Sequence, residues 1–517
     1  MQLPFGEWLP DQPDYLNPGA TVATNVYHAQ TSYKPFKGLV SYSANNIGKN
    51  SKGAGSFRDN TNTVFTFVAT KTDLFQLANG TFTSRKSGLT GSDTDFITFT
   101  QFGNFIIASN GVDAAQVYQM GTSTNFANLS SIATSGTPPV FRVSGVIRDF
   151  LVTGSIANAK NRVAWSGLND ISVWTAGEKS SDVQDLPGSG GEVVHITSGE
   201  VGYIFRQNQI VRMDFVGGNV VFRFSVISSN RGATYGQTVC QDNRQIFFYA
   251  DDGFFQIDGD QVIPIGAEKI NRFFDQDLNK SFSDRISASV DPFNTLAIWL
   301  YPSVNEANTT GICDRLLIYN YVTKKWTIAE VKASQIFPQF VVIDTVEKMD
   351  LISENLDSIN FALDTPFWSS GFLNLGAIDE NFKAAIFSGQ NLEAELETKE
   401  AELIKGSRTN ITGIRPIVDA TANVVIKTRE RLADTPTSSS STSMNSSGLN
   451  QVRKSGRYFK INVKIPEGSI WNHAQGIDLE ASPGGNRWVI KLTLTTLDTL
   501  LKLKNFFKDK LRKQLIH

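Results

Sequence analysis

The chain has 517 residues, 48 Lys and Arg against 50 Asp and Glu, a formal net charge of −2 and a charged fraction of 19%. That balance excludes a global basic field that would steer the whole chain to nucleic acid. The length exceeds what one simple core fills, so about two to four domains are expected unless a repeat architecture holds most of it. Phe is abundant at 36 residues and Met scarce at 5, and with Val, Ile and Thr this composition favours strands.

The opening, Met1 to Trp8, lacks a basic stretch followed by an apolar one, and no run of about 18 apolar residues occurs, so neither a secretion signal nor a membrane span is expected. Residues 1–56, rich in Pro, Gly, Asn and Tyr, read as an extended N-terminal arm ending in a first strand near Gly38 to Ser43. Phe5, Trp8, Tyr15, Tyr33 and Phe36 are its candidate inter-subunit contacts. From 57 to 370 one grammar recurs: an Asp or Gly, a short aromatic-aliphatic strand, then a turn. It stands at Asp73-Leu74-Phe75-Gln76-Leu77, Asp113-Ala114-Ala115-Gln116-Val117-Tyr118, Gly253-Phe254-Phe255-Gln256-Ile257 and Asp314-Arg315-Leu316-Leu317-Ile318-Tyr319. Each run follows another strand-like run, which is how a β-propeller blade looks in sequence, because a single blade cannot bury its faces until neighbours stack on it. Six or seven blades are expected, beginning near 63, 96, 141, 193, 236, 286 and 339. Val216-Gly217-Gly218-Asn219 marks a hairpin, and Ala267 to Phe274, with apolar residues three and four apart, predicts a short connecting helix.

After about 371 the texture changes to a smaller β-rich, sandwich-like domain over 371–488. Its run Leu392 to Leu403 alternates, with Leu392, Ala394 and Leu396 on one side and Glu393, Glu395 and Glu397 on the other, and reads as a half-solvated strand. The Ser/Thr segment 434–448 is too polar to fold alone and is expected to be a mobile loop. Residues 489–517 carry seven Lys or Arg and two Asp and form a basic amphipathic tail, with a helix predicted from about Asp498 to Leu515 that docks on the body or on a partner subunit.

Chemistry-bearing constellations are sparse. His28, His195, His473 and His517 are isolated, and Cys240 and Cys313 have no neighbouring cysteine and read as free buried thiols. No phosphate loop, nucleophile elbow or paired metal-ligand motif occurs. No catalytic residue, metal or cofactor is therefore expected. Asp251-Asp252 and Asp275-Gln276-Asp277 read as turn residues that cap their own backbone. Trp165 and Trp174 bracket a turn and are weighed as a sugar-stacking pair against the commoner fate of burial between blades.

A family resemblance runs in order from residue 5 to about 400. Its residues are Phe5-Gly6-Glu7-Trp8-Leu9-Pro10-Asp11, Asn17-Pro18-Gly19, Tyr33-Lys34-Pro35-Phe36-Lys37-Gly38, Trp165-Ser166, Trp174-Thr175, Val290-Asp291-Pro292, Ile298-Trp299, Lys325-Trp326 and Phe387-Ser388-Gly389-Gln390-Asn391-Leu392-Glu393. The chain resembles tail hub or nozzle proteins of short-tailed bacteriophages, also called DNA stabilisation proteins. The resemblance implies a propeller body with a smaller β domain, assembled as a homo-oligomer, a hexameric ring in the virion tail after synthesis in the host cytoplasm. Its partners would be a tail adaptor ring, tailspike or fibre proteins and a plug or needle protein, with double-stranded DNA passing through without tight binding. Under that reading Glu393, Glu395, Glu397, Glu400 and Glu402 are candidate channel-lining residues, since a conduit must not grip phosphate. The competing reading is a carbohydrate-binding or glycan-cleaving propeller with Trp165, Trp174 and Asp251 or Asp252 at its mouth.

Overall fold

The structure is a computed structural model that describes residues 1–484 apart from 219, 243–244, 306–307 and 341–372, and beyond 484 only Lys504. The basic tail 489–517, with the helix predicted from about Asp498 to Leu515, lies outside these residues, Lys504 excepted.

Five consecutive segments each form a separate antiparallel sheet of four strands in chain order. They span Gly53–Arg58 to Thr81–Lys86, Thr98–Phe102 to Ala127–Asn128, Phe141–Ile147 to Asp182–Asp185, Val193–Ile196 to Phe222–Ser228, and Cys240–Asp242 to Gln261–Pro264. A sixth comprises Ser287–Asp291, Leu296–Tyr301, Cys313–Asn320 and the first half of the long strand Lys325–Phe340. From Ala333 onward that same strand pairs with Leu373–Asp379 instead, which pairs in turn with Ala384–Ile386 and then with Val40–Ser41. This seventh sheet takes its outermost strand from the N-terminal segment.

The first strands of the sheets pack in succession, blade four reaching blade five through the turn Gly236–Thr238, and the second half of Lys325–Phe340 packs on Gly53–Arg58 to close the circle. The protein is a seven-bladed β-propeller. Seven apolar clusters fill its seven inter-blade spaces. Phe67, Ile106 and Tyr118 lie between blades one and two, and Ile107, Phe141 and Leu151 between two and three. Val152, Ile204 and Met213 fill the next space, followed by Phe205, Phe248 and Ile257. Phe254, Trp299 and Trp326 join five to six, Ile298, Leu316 and Ile336 join six to seven, and Phe337, Ile378 and Val68 join seven to one. The period of two explains the sharing: in strand Val64–Ala69, Phe67 faces blade two while Val68 faces blade seven. Within blade five the turn Asp251-Asp252 ends at Gly253, where φ is +129° and a Cβ would lie 1.8 Å from the Asn271 side-chain amide, so only glycine fits.

The remaining strands form a sandwich on the flank of blade six. One sheet runs Val26–Ala29, Ser32–Pro35, Ala474–Gly484, Arg408–Val418, Asn450–Gly456, with Gln2–Pro4 also on Ala474–Gly484. The other contains Val22–Thr24, Ala394–Glu397, Tyr458–Ile465 and Asn423–Arg429. Leu396, Ile411, Ile414, Val424, Ile461 and Ile477 close between them. Val22–Thr24 pairs antiparallel with Ala394–Glu397, and Thr24 pairs in parallel with Ile328 of blade six. One sheet therefore continues from the propeller into the sandwich.

Four expectations change. The N-terminal segment is more than an extended arm with one strand; its strands complete both the sandwich and blade seven. Strands Leu373–Asp379 and Ala384–Ile386, assigned from sequence to the second domain, belong to blade seven. The helix forms at Asn271–Asp277, displaced from Ala267–Phe274, because Asp11 supplies its cap: the Arg272 and Phe273 amides donate to the Asp11 carboxylate at 2.9 and 2.8 Å. Residues 434–448 lie along the sandwich, with Thr437–Ser438 and Thr442–Ser443 pairing on Asn423–Arg429. The hydroxyls that make this segment polar satisfy the sheet edge: Ser439 Oγ accepts from the Ile426 amide at 3.0 Å.

Candidate functional site

The acidic run folds as the strand Ala394–Glu397 and a short continuation at Ala401–Glu402. Ala394 and Leu396 are fully buried in the sandwich, and the glutamates lie on the opposite face, where the neighbouring strands present cations in register. Glu395 pairs with Lys464 at 3.1 Å, and Glu393 reaches the same ammonium at 3.5 Å. Glu397 is only 2% exposed. It accepts from Thr21 Oγ1 at 3.0 Å and meets Lys427 at 2.5 Å and Lys460 at 3.5 Å. Glu400, also 2% exposed, holds the Arg429 guanidinium at both oxygens. Arg457 donates to Glu402 at 2.8 Å and holds its carboxyl below the usual carboxylate range.

The five candidate channel-lining glutamates thus come together on one face, but each meets a cation: Lys464 shared by Glu393 and Glu395, Lys427, Lys460 and Arg429 on the two adjoining strands, and Arg457 just before the second of them. Glu397 and Glu400 are interior. The bare acidic wall expected from sequence is instead a paired lattice, because strands Asn423–Arg429 and Tyr458–Ile465 carry Lys427, Arg429, Lys460 and Lys464 at the matching parity. Exposed pairs of this kind contribute at most about 1 kcal/mol each. Stripping one partner from the buried Glu400–Arg429 pair costs roughly 3–5 kcal/mol, since it leaves an unpaired interior charge.

The candidate arm contacts are also spent within the chain. Phe5, Trp8, Tyr33 and Phe36 are buried. Trp8 packs edge-on against Phe273 with ring centroids 5.1 Å apart, Tyr33 donates its hydroxyl to the Gly6 carbonyl at 2.7 Å, and Phe36 meets Phe387 at 5.3 Å. Tyr15 packs on Tyr458 at 5.4 Å. Glu7, in the same opening motif, pairs with Lys269 at 2.7 Å. The motif joins sandwich, helix and blade six.

At the axial mouth, residues in and next to the inner strands of the blades set cations against carboxylates. Lys52 pairs with Asp284 at 2.9 Å, Lys71 with Asp93 at 2.9 Å, and Arg142 with Asp95 at 3.0 Å. A cavity of about 400 Å³ opens there beside Ser155, Glu192 and Gln237.

Trp165 and Trp174 are 4% and 9% exposed, and their indole N–H groups donate to the Ser180 and Ile171 carbonyls at 2.8 Å. Neither offers a face to a sugar. Asp251 accepts from Thr234 Oγ1 at 2.7 Å and Asp252 pairs with Arg231 at 2.7 Å, both as turn residues. Cys240 and Cys313 are free and buried, and burial pushes both thiols up. Among the described residues no group of three or more His, Cys, Asp or Glu side chains is placed to hold a metal ion, and no helix is long and apolar enough to cross a membrane.

No family model and no curated protein matches this chain. Solved structures with similar shape include a chain of the mitotic checkpoint complex at 8% identity, covering 70% of this chain and 98% of that one with a TM-score of 0.39. The Neurospora crassa Pan2 WD40 domain matches at 8% identity over 70% of this chain and 97% of that one, with a TM-score of 0.36. The RRP9 WD40 repeats match at 9% identity, 68% and 98% coverage, and a TM-score of 0.39. The propeller itself rests on the closed order of its own seven sheets.

Proposed function

We propose that this protein is a structural, non-enzymatic subunit of a ring at the end of a bacteriophage tail, a nozzle or hub that retains packaged DNA, conducts it during ejection and anchors tailspikes or fibres. The observation that carries the reading is the use of the opening motif. The residues that bear the family resemblance, Phe5 to Trp8 and Tyr33 to Phe36, fasten the sandwich rigidly to the propeller, as a part that must keep its shape under assembly would need. The ring is homo-oligomeric, six-fold by the resemblance, and identical subunits close it through heterologous contacts. Because the N-terminal segment is used internally, those contacts lie on outer surfaces of the propeller and sandwich. The paired lattice over Glu393 to Glu402 suits a DNA conduit in a different way from a bare acidic wall: its cations are already engaged, and few are left to release counterions from phosphate.

The test is the solution mass of the purified protein, alone and with a candidate tail adaptor. A closed ring of six subunits, formed alone or on the adaptor, is the expected outcome. A monomer indifferent to every adaptor would overturn the proposal.

A further inference from the structure

A second cavity, about 250 Å³, lies where the hairpin of Val26–Ala29 and Ser32–Pro35 meets blades six and seven. We infer that it is a carbohydrate site that takes a single pyranose ring, stacked on Phe293 and hydrogen-bonded by Lys37, Asp291 and Ser388.

The floor is apolar: Phe36, Leu296, Leu375 and Ile386 are all buried. Phe293 stands at the lip in the turn after Ser287–Asp291 and is 67% exposed. An exposed aromatic ring beside a concave apolar floor offers the C–H face of a sugar a stacking surface, and the ring quadrupole favours the slightly positive C–H edge. The polar groups are of two kinds. Asn294 is held on both sides, accepting from Tyr27 Oη at 3.3 Å and donating to Asp291 at 2.7 Å, so it fixes the turn that presents Phe293. Ser388, Lys37 and Asp291 keep capacity to spare. Ser388 is 7% exposed and its Oγ has no hydrogen-bond partner, a costly state for a buried hydroxyl unless a ligand or water supplies one. Lys37 lines the same cavity, and its ammonium has no carboxylate partner among the described residues. Asp291 accepts from the Phe293 and Asn294 amides at 3.0 and 3.2 Å, and a carboxylate has lone pairs beyond these for a sugar hydroxyl.

An ammonium that donates, a carboxylate that accepts and a hydroxyl that does both match a ring of vicinal hydroxyls better than a purely apolar or purely anionic ligand. The volume lies below the roughly 300 Å³ at which sites for drug-sized ligands begin, which fits one ring and not an extended chain. This inference does not depend on the assembly proposed above, since the whole cavity is built within one subunit.

The experiment is saturation-transfer NMR on the full-length protein with glucose, galactose, mannose and N-acetylglucosamine at millimolar concentration, repeated with Phe293→Ala and Lys37→Gln. Transfer to the ring C–H protons of at least one sugar is expected, weakened roughly five- to tenfold in Phe293→Ala. Both side chains lie at the cavity mouth outside the core, so unchanged thermal unfolding would separate lost binding from lost fold. Should Phe293→Ala unfold, Lys37→Gln carries the test alone. No transfer to any of the four sugars, or transfer unchanged in both variants, would overturn the inference and leave the ring assembly untouched.

Discussion

His28 sits where the N-terminal hairpin meets blade six, 3% exposed, with its ring edge-on to Tyr33 and Nε2 3.1 Å from the Lys325 ammonium. Burial first, then Lys325, lower its pKa to about 4. Burial lowers that of His195 to about 4 as well. In an unfolded chain both would titrate near 6.5. The unfolded state therefore binds protons first, and their contribution is complete above about pH 6.5 and is lost as pH falls towards 4. For His28 this amounts to at most about 3 kcal/mol. The midpoint of thermal unfolding should fall steeply between pH 6.5 and 4, and His28→Gln should flatten part of that fall while changing little at pH 8. An identical slope in the variant would show that His28 is not held neutral. The isolation of this histidine in sequence gave no paired-ligand spacing, and its burial was hidden, because Lys325 lies 297 residues away.

At the scale of elements, ring closure hangs on the short strand Val40–Ser41, which pairs with Ala384–Ile386 and carries the N-terminal segment into blade seven. The Tyr42 amide continues that ladder, donating to the Ala384 carbonyl at 2.9 Å. Tyr42→Pro removes the donor, leaves the Ala384 carbonyl without it and should cost about 1–3 kcal/mol. Amide exchange should rise in blade seven and in its neighbour blade one before it rises in blades three and four. Tyr42→Phe controls for the hydroxyl, and exchange raised evenly around the ring would refute this closure.

The blades were legible in sequence because each rests on local signals: hairpin turns at Gly-Gly and Asp-Gly, and aromatic-aliphatic runs of period two. Predicted starts near 96, 141, 193 and 286 fall within two residues of observed first strands at Thr98, Phe141, Val193 and Ser287. What sequence reading missed is non-local. The partners of Gln2–Pro4, Val22–Thr24 and Val40–Ser41 lie more than 300 residues downstream, and the cap of Asn271–Asp277 comes from Asp11. The charge lattice lies between these cases. Glu393, Glu395 and Glu397 alternate visibly, as do Lys460 and Lys464, but only strand adjacency shows that one row neutralises the other.

For the whole molecule, propeller and sandwich share one apolar cluster that runs from Phe254, Trp299 and Trp326 through Trp8 and Tyr33 to Ile411 and Val463. They are two architectures with a common interior, and each lacks strands or core without the other. Calorimetry should show a single dominant unfolding transition for both. A chain truncated after residue 392 should fail to give a soluble propeller, because it exposes the sandwich side of that cluster. Two well-separated transitions, or a folded truncated chain, would mean that the shared interior is not cooperative.

The strand Lys325–Phe340 is bonded at its start to the sandwich side through Thr24 and at its end lies against the innermost strand of blade one. A pull on the sandwich would therefore reach the propeller axis along covalent backbone, without crossing a loop. The ladders flanking that strand run along the line of tension and would be loaded in shear, all bonds together, instead of peeling one by one. The flank of this molecule is in effect a stiff mechanical coupling to its own central hole.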